Sequence, residues 1–204
     1  MPAILSDLQQ EVLKELMNIG ANESANILSN MLNVQIDLDV PNIKVIHPKD
    51  LLGELAALGS QELTAVNMGF RSSLSGTSQL VFTQESANKL VQMFAQEVLQ
   101  VDEFDEIKSG ALVEIGNIIL NAVLATFSNT FKNELEFFVP EYFENYKKEF
   151  YEKIVDYIDD VVLVGNTVFT IKELQVAGDI IIYLNVTSLD YFKELIDNYI
   201  KTII

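Results

Sequence analysis

Residue 15 laid over residue 114 begins a run of matches that dominates everything else in this chain. Glu15 meets Glu114, Asn18 meets Asn117, Ile19 meets Ile118 and Asn22 meets Asn121. Ser29 and Asn30 meet Ser128 and Asn129, and Val40 and Pro41 meet Val139 and Pro140, at a constant offset of 99 with no gap. A repeat of roughly 100 residues is a duplicated domain half, far too long for a solenoid unit. No Gly/Ser/Pro-rich linker separates the copies. The 204 residues therefore read as a single domain, 1–204, made of repeats at about 1–100 and 101–204.

Periodicity supplies the elements. Ser6 to about Leu32 reads as a long helix, with a capping box between Ser6 and Gln9. "VQIDLDV" alternates as a strand, and Pro41 is expected to end it. "DLLGELAAL" reads as a short helix. "LTAVNMGF" and "SQLVFT" read as a hairpin through "RSSLSG". A helix follows over residues 86–97, with Ser86 as its expected cap. The second half repeats the order: a helix from about Asp105, a strand before Pro140, a helix within "YFENYKKEFYEKIVDYI", strands "TVFTIKE" and "DIIIYLN", and a closing helix from Ser188. The expected class is α+β, or mixed α/β, with two long helices and further helices packed on a largely antiparallel sheet in pseudo-two-fold symmetry.

Two helix interiors contain residues that weaken helices. Asn18 costs roughly half a kcal/mol against Ala, and Gly20 and Gly116 about 1 kcal/mol each. Leu13, Leu16, Ile19, Ile27 and Leu28 keep helical spacing, and Leu13, Leu16 and Ile19 read as the core contact of the first helix. Glu11, Glu15 and Asn18 then share one face, as do Glu114 and Asn117. The polar positions admit three readings: surface residues carried along by duplication, an Asn bonding a neighbouring loop, or an amide held out for chemistry. A carboxamide carries a donor and an acceptor, so it can hold a water in line for attack, and a nearby carboxylate can clamp a Lys on a partner.

Composition narrows the chemistry. There is no cysteine, which excludes disulfides, thiol catalysis and zinc–thiolate sites. The single histidine, His47, sits in "IHPKD" and reads as a surface loop residue. No phosphate-binding glycine motif and no metal cluster is visible, so no metal or cofactor of its own is expected. A formal charge of −17 argues against nucleic acid and against anionic membrane surfaces. No apolar run of spanning length and no secretory start are seen, so a cytoplasmic protein is expected. Any catalysis must borrow machinery from the molecule it docks on.

Glu-x-x-Asn, 22 residues, then Pro, twice in register, resembles the CheC/CheX/FliY family of phosphatases acting on phosphorylated CheY, and most of all its CheC branch. The resemblance implies that the long helix docks on a phosphorylated response regulator. It implies that Asn18 or Asn117 orients the water attacking the aspartyl phosphate, and that Glu15 or Glu114 pairs with the regulator's Lys. Mg²⁺ would belong to the regulator. The resemblance further implies that Glu11, Asn22, Ser109 and Asn121 fall where the partner docks and that Pro41 and Pro140 are structural. The family's lead position holds Glu11 in the first copy and Gly110 in the second. Glu11 keeps an acceptor there, so the first copy is expected to be the stronger site. The alternative role is a non-catalytic adaptor that binds phosphorylated CheY or a CheD-like deamidase.

Overall fold

The computed structural model describes residues 4–55, 62–98, 104–146, 161–171, 174–184 and 186–203. Helix α1 spans Asp7–Leu32 and β1 spans Ile36–Ile46, followed by a 3-10 turn at Pro48–Asp50 and the short α2, Leu51–Leu55. Then come β2 (Leu63–Arg71), β3 (Gly76–Thr83), α3 (Gln84–Val98) and the second long helix, α4 (Phe104–Phe131). The chain continues through β4 (Glu136–Phe137), β5 (Glu141–Phe143), β6 (Val161–Ile171), β7 (Leu174–Leu184) and α5 (Val186–Ile203). The helix expected in "YFENYKKEFYEKIVDYI" falls largely outside the described residues, and its first residues form β5 instead.

One antiparallel sheet, ordered β1-β6-β7-β3-β2-β4 with β5 also on β2, carries strands of both repeats. Its symmetry can be read from register. Leu38 faces Phe169, and the residues 99 away, Phe137 and Phe70, face each other. Asn42 faces Asn166, and Glu141 likewise faces Asn67. Across the centre, Gln79 faces Ile181, and their counterparts Phe82 and Gly178 are also paired. Each repeat thus sends its first strand to the outer edge of the other repeat's hairpin.

Both edges carry a proline and an irregularity. The ladder between β1 and β6 shifts register between Asp39 and Asn42, skipping Val40 and Pro41. The strand does not end at Pro41, as expected, but bulges there and continues to Ile46. In the second copy the same point breaks the strand into β4 and β5. A proline cannot donate a ladder bond, and a bulge at an edge blunts pairing with other chains.

Helices α1, α3, α4 and α5 cover one face of the sheet. Leu13, Leu16, Met17 and Leu28 of α1 are buried there with Ile115, Ile119, Leu120 and Val123 of α4. A smaller cluster on the opposite face joins Leu51 and Leu55 of α2 to Leu63, Val81, Val162, Ile181, Tyr146 and Tyr183. Ile19 corrects the expected core: it is nearly half exposed, because α1 turns its other side to α4. The stretch Ile107–Phe131 of α4 is, against expectation, long and apolar enough by length and composition to cross a bilayer, yet more than half of its most apolar 18 residues is buried in this fold.

The helix glycines answer to packing. A Cβ on Gly20 would stand 2.5 Å from the Cα of Val123 on α4, and one on Gly116 would stand 2.6 Å from a methyl of Val66 on β2. Gly20→Ala is therefore expected to lower stability by about 1–3 kcal/mol through overpacking, despite alanine's better helix propensity. Urea unfolding measures this; a variant more stable than the parent would remove the close-approach explanation.

Local caps follow the repeat unevenly. The Ser6 side chain accepts from the Gln9 N–H and Gln9 reaches back to the Ser6 N–H, closing the expected capping box. At α3, Thr83 rather than Ser86 is the capping side chain, accepting from the Ser86 N–H at 3.0 Å. Ser188 lies inside the first turn of α5 and accepts from the Ser75 N–H. Asn33 and Lys132, again 99 apart, both end their helices with positive φ, 51° and 52°.

Candidate functional site

Glu15 and Asn18 lie mid-way along α1, and Glu114 and Asn117 lie at the same place on α4. Both glutamates are exposed and both asparagines are half-buried. Each helix is fixed on its far side by core packing, so each pair sits on a stiff rod. Beyond that the copies diverge.

In the first copy the amide is occupied. Asn18 Nδ2 donates to the carbonyl of Lys14 and to the carbonyl of Val40, both at 3.0 Å. Asn18 Oδ1 accepts from the Val40 N–H at 2.8 Å. Val40 is completely buried and lies in the bulge, where β6 offers it no partner. The side chain of Asn18 therefore does for Val40 what a neighbouring strand does for an ordinary strand residue. A second clamp sits further along: the Ser29 hydroxyl accepts from the Ile36 N–H at 2.9 Å. Together they bind β1 along the length of α1.

In the second copy neither clamp forms. Asn117 Oδ1 accepts from Asn121 Nδ2 at 2.6 Å, and among the described residues its own Nδ2 has no partner. Val139, the counterpart of Val40, is 85% exposed. Ser128, the counterpart of Ser29, bonds the carbonyl of Asn133 rather than a strand residue. The amide of Asn117 keeps two donor hydrogens for another molecule, beside the exposed carboxylate of Glu114.

The remaining candidates are scattered in role. Glu11 and Asn22 are exposed on α1, Ser109 is half-buried, and Gly110 is exposed with open space around it. Asn121 is half-buried and serves to hold Asn117. Lys108, one residue before Ser109, is buried; its Nζ donates to Gln84 Oε1 at 2.8 Å and lies 3.8 Å from Glu144. Pro41 is exposed and Pro140 half-buried. Among the described residues no three acidic or histidine side chains gather as a metal site would need. His47 is exposed ahead of the 3-10 turn.

Sequence reasoning passed over Val40 and Ser29. The signal was present: a fixed 22-residue gap from an Asn on a helix to a Pro on a strand is the spacing of two segments in contact.

Asn18→Ala is expected to cost about 2 kcal/mol, since it leaves the buried Val40 N–H and C=O without partners. Asn117→Ala is expected to cost much less. Chemical denaturation of the two variants side by side checks the difference; equal costs would mean that the latch contributes nothing.

The architecture and the paired side chains define a class: a duplicated α+β fold carrying a carboxylate and a carboxamide on each of two long helices. A CheC-like family model matches residues 8–45, which include Glu15, Asn18 and Pro41. The chain is 26% identical over 144 residues to CheY-P phosphatase CheC of Bacillus subtilis, covering 67% of this chain and 66% of that protein. It is 24% identical over 138 residues to the flagellar motor switch phosphatase FliY of the same bacterium, covering 67% of this chain and 35% of that one. The matched stretch thus spans just under two thirds of CheC and about a third of FliY. In fold it is similar to FliY of Thermotoga maritima, with a TM-score of 0.73, 19% identity and 96% and 98% of the two chains covered. It is also similar to a chain of the CheX–CheY–BeF3–Mg complex of Borrelia burgdorferi, with a TM-score of 0.52, 16% identity and 84% and 99% coverage. The chain is related in sequence to CheC and FliY, and the resemblance to the CheC/CheX/FliY family holds in both sequence and fold.

Proposed function

We propose that this protein hydrolyses the aspartyl phosphate of a CheY-like receiver domain in the cytoplasm, and that the α4 copy does the work. The observation that carries this reading is the free Nδ2 of Asn117 beside the exposed Glu114 on a rigid helix. The names of the sequence relatives, CheY-P phosphatase and flagellar motor switch phosphatase, support the reaction class. On docking, Asn117 would enter the receiver's pocket and orient the attacking water, and Glu114 would pair with the receiver's phosphate-contacting Lys. The receiver would supply Mg²⁺ and the aspartyl phosphate. Phosphoryl transfer asks little more of a protein than position and charge neutralisation. The test is the decay rate of a phosphorylated receiver with and without the protein; a lifetime unchanged across a panel of receivers would overturn the proposal.

The latch on Asn18 favours a second role for the first copy. An occupied amide on an otherwise exposed helix face suits an adaptor surface, one that holds a receiver or a CheD-like deamidase without chemistry. Binding of such a partner that Glu15→Lys weakens, with the phosphatase rate intact, would support that division of labour.

The charge of −17 meets an acidic receiver pocket. Added salt screens that repulsion, so the affinity for the receiver is expected to hold or rise as ionic strength passes about 0.15 M. Calorimetry over a salt series tests it; a steep loss of affinity would show that attraction, not repulsion, governs docking.

A further inference from the structure

The bond between Asn121 and Asn117 has no equivalent in the first copy. Asn121 Nδ2 donates to Asn117 Oδ1 at 2.6 Å. Asn18 and Asn22 keep the same four-residue spacing, but Asn18 is turned to Val40, and Asn22 is exposed where Asn121 is half-buried. The helix face reserves the Asn121 donor for this use. A helix side chain reaches the residues three and four away, which for Asn121 are Asn117, Ile118, Leu124 and Ala125. Of these only Asn117 carries a polar side chain. On the other side of Asn117, one turn back on the same face, stands Glu114. A carboxylate accepts and never donates, so it repels an amide oxygen and attracts an amide nitrogen. Both neighbours therefore favour one orientation of the Asn117 amide, with its oxygen toward Asn121 and its amino group away from it.

Resting on the phosphatase reading above, we infer that Asn121 is a positioning residue: it fixes which end of the Asn117 amide meets the receiver, and the end presented is a pure hydrogen-bond donor. The terminal torsion of an asparagine is broad and roughly two-fold, so an unheld Asn117 would present its oxygen about as readily as its nitrogen. The groups awaiting it in a phosphorylated receiver are acceptors. They are the phosphoryl oxygens, over which the transition-state charge spreads, and the lone pairs of the attacking water. A donor suits all of them, whereas an outward oxygen would face the phosphoryl oxygens as a like partial charge. Holding the amide in advance also spares its reorganisation at the moment of reaction.

The experiment measures receiver dephosphorylation by the full chain and by three variants at Asn121, with kcat and KM separated. Asn121→Ala is expected to lower kcat about five- to tenfold, the worth of one ordinary hydrogen bond, with KM within twofold. Alanine is the better helix former, so the thermal midpoint should hold or rise, and the lost rate is not lost folding. Asn121→Gln keeps an amide that pairs with Asn at this spacing, and its kcat should stay within twofold of the parent. Asn121→Asp replaces the donor with an acceptor, draws the Asn117 amino group inward and turns its oxygen out. Its kcat should fall about a hundredfold, as when one transition-state donor is withdrawn, while any effect of the added charge on docking is read in KM. A kcat for Asn121→Ala within twofold of the parent would overturn the inference and leave the phosphatase reading intact. So would a kcat for Asn121→Asp at or above that of Asn121→Ala, since the oxygen would then be the working end. A parent that dephosphorylates no receiver would overturn both.

Discussion

Asn117→Ala should lower the rate at which the protein dephosphorylates its receiver by at least about a hundredfold, the scale seen when one positioned hydrogen-bonding group is removed from a transition state. Asn18→Ala should leave that rate within about twofold of the parent once its lower stability is allowed for. The two residues share a sequence position within their repeats, so the contrast isolates geometry. Asn18 offers no amide hydrogen to a partner until its bonds to the carbonyls of Lys14 and Val40 are broken. Asn117 has one bond, through its oxygen, and that bond turns its nitrogen outward. The measurement is single-turnover decay of phosphorylated receiver at saturating protein. Equal losses in both variants would mean that docking releases the latch, and full activity in Asn117→Ala would remove α4 as the working copy.

This ranking reverses the one drawn from the lead positions. Glu11 keeps an acceptor where Gly110 keeps none, which favours the first copy if lead residues decide. Gly110 stands exposed with open space around it. The lead residue is one turn from the glutamate and about two turns from the reacting amide, whereas the latch acts on that amide itself. The nearer effect should win, and Glu11→Gly is accordingly expected to change the rate little.

Much of the fold was legible because duplication writes itself into a chain. The 99-residue offset located the second helix, the antiparallel hairpins and the equivalence of Pro41 with Pro140, and it survives in the registers of β1 on β6 and of β4 and β5 on β2. Which strand pairs with which was not legible. Alternating residues fix the face a strand buries but not its neighbour, and here each first strand crosses to the other repeat. Ile19 was misread for a related reason: helical spacing defines a stripe, and α1 buries small residues such as Gly20, Ala21 and Ala25 beside it. The latch escaped because a helix asparagine flanked by glutamates looks the same in sequence whether it faces water or a bulged strand. Only the invariant distance to proline in both copies carried that information.

Asp179→Asn should stabilise the protein by up to about 3 kcal/mol above pH 7 and by almost nothing near pH 4. Asp179 sits on β7, 1% exposed. Its Oδ1 accepts from Asn166 Nδ2 at 2.9 Å, while Oδ2 is buried with no partner. Burial, which disfavours the charged carboxylate, pushes its pKa up to about 6; the bond from Asn166 and the charge of Lys44 pull the other way, and Glu54 adds to the rise. An unfolded chain would ionise this group near 3.9. The folded state therefore holds the proton more tightly. The resulting stabilisation is complete below about pH 4 and is lost as pH climbs through about 6, a span of about two pH units at 1.36 kcal/mol each. Asparagine keeps the acceptor for Asn166 and never charges. Subtracting the two stability curves also cancels the repulsion among the other acids, which both proteins share. The check is chemical denaturation at intervals from pH 4 to 8. A difference between the curves that stays flat across that range would mean Asp179 reaches solvent in the folded protein and ionises there at an ordinary pKa.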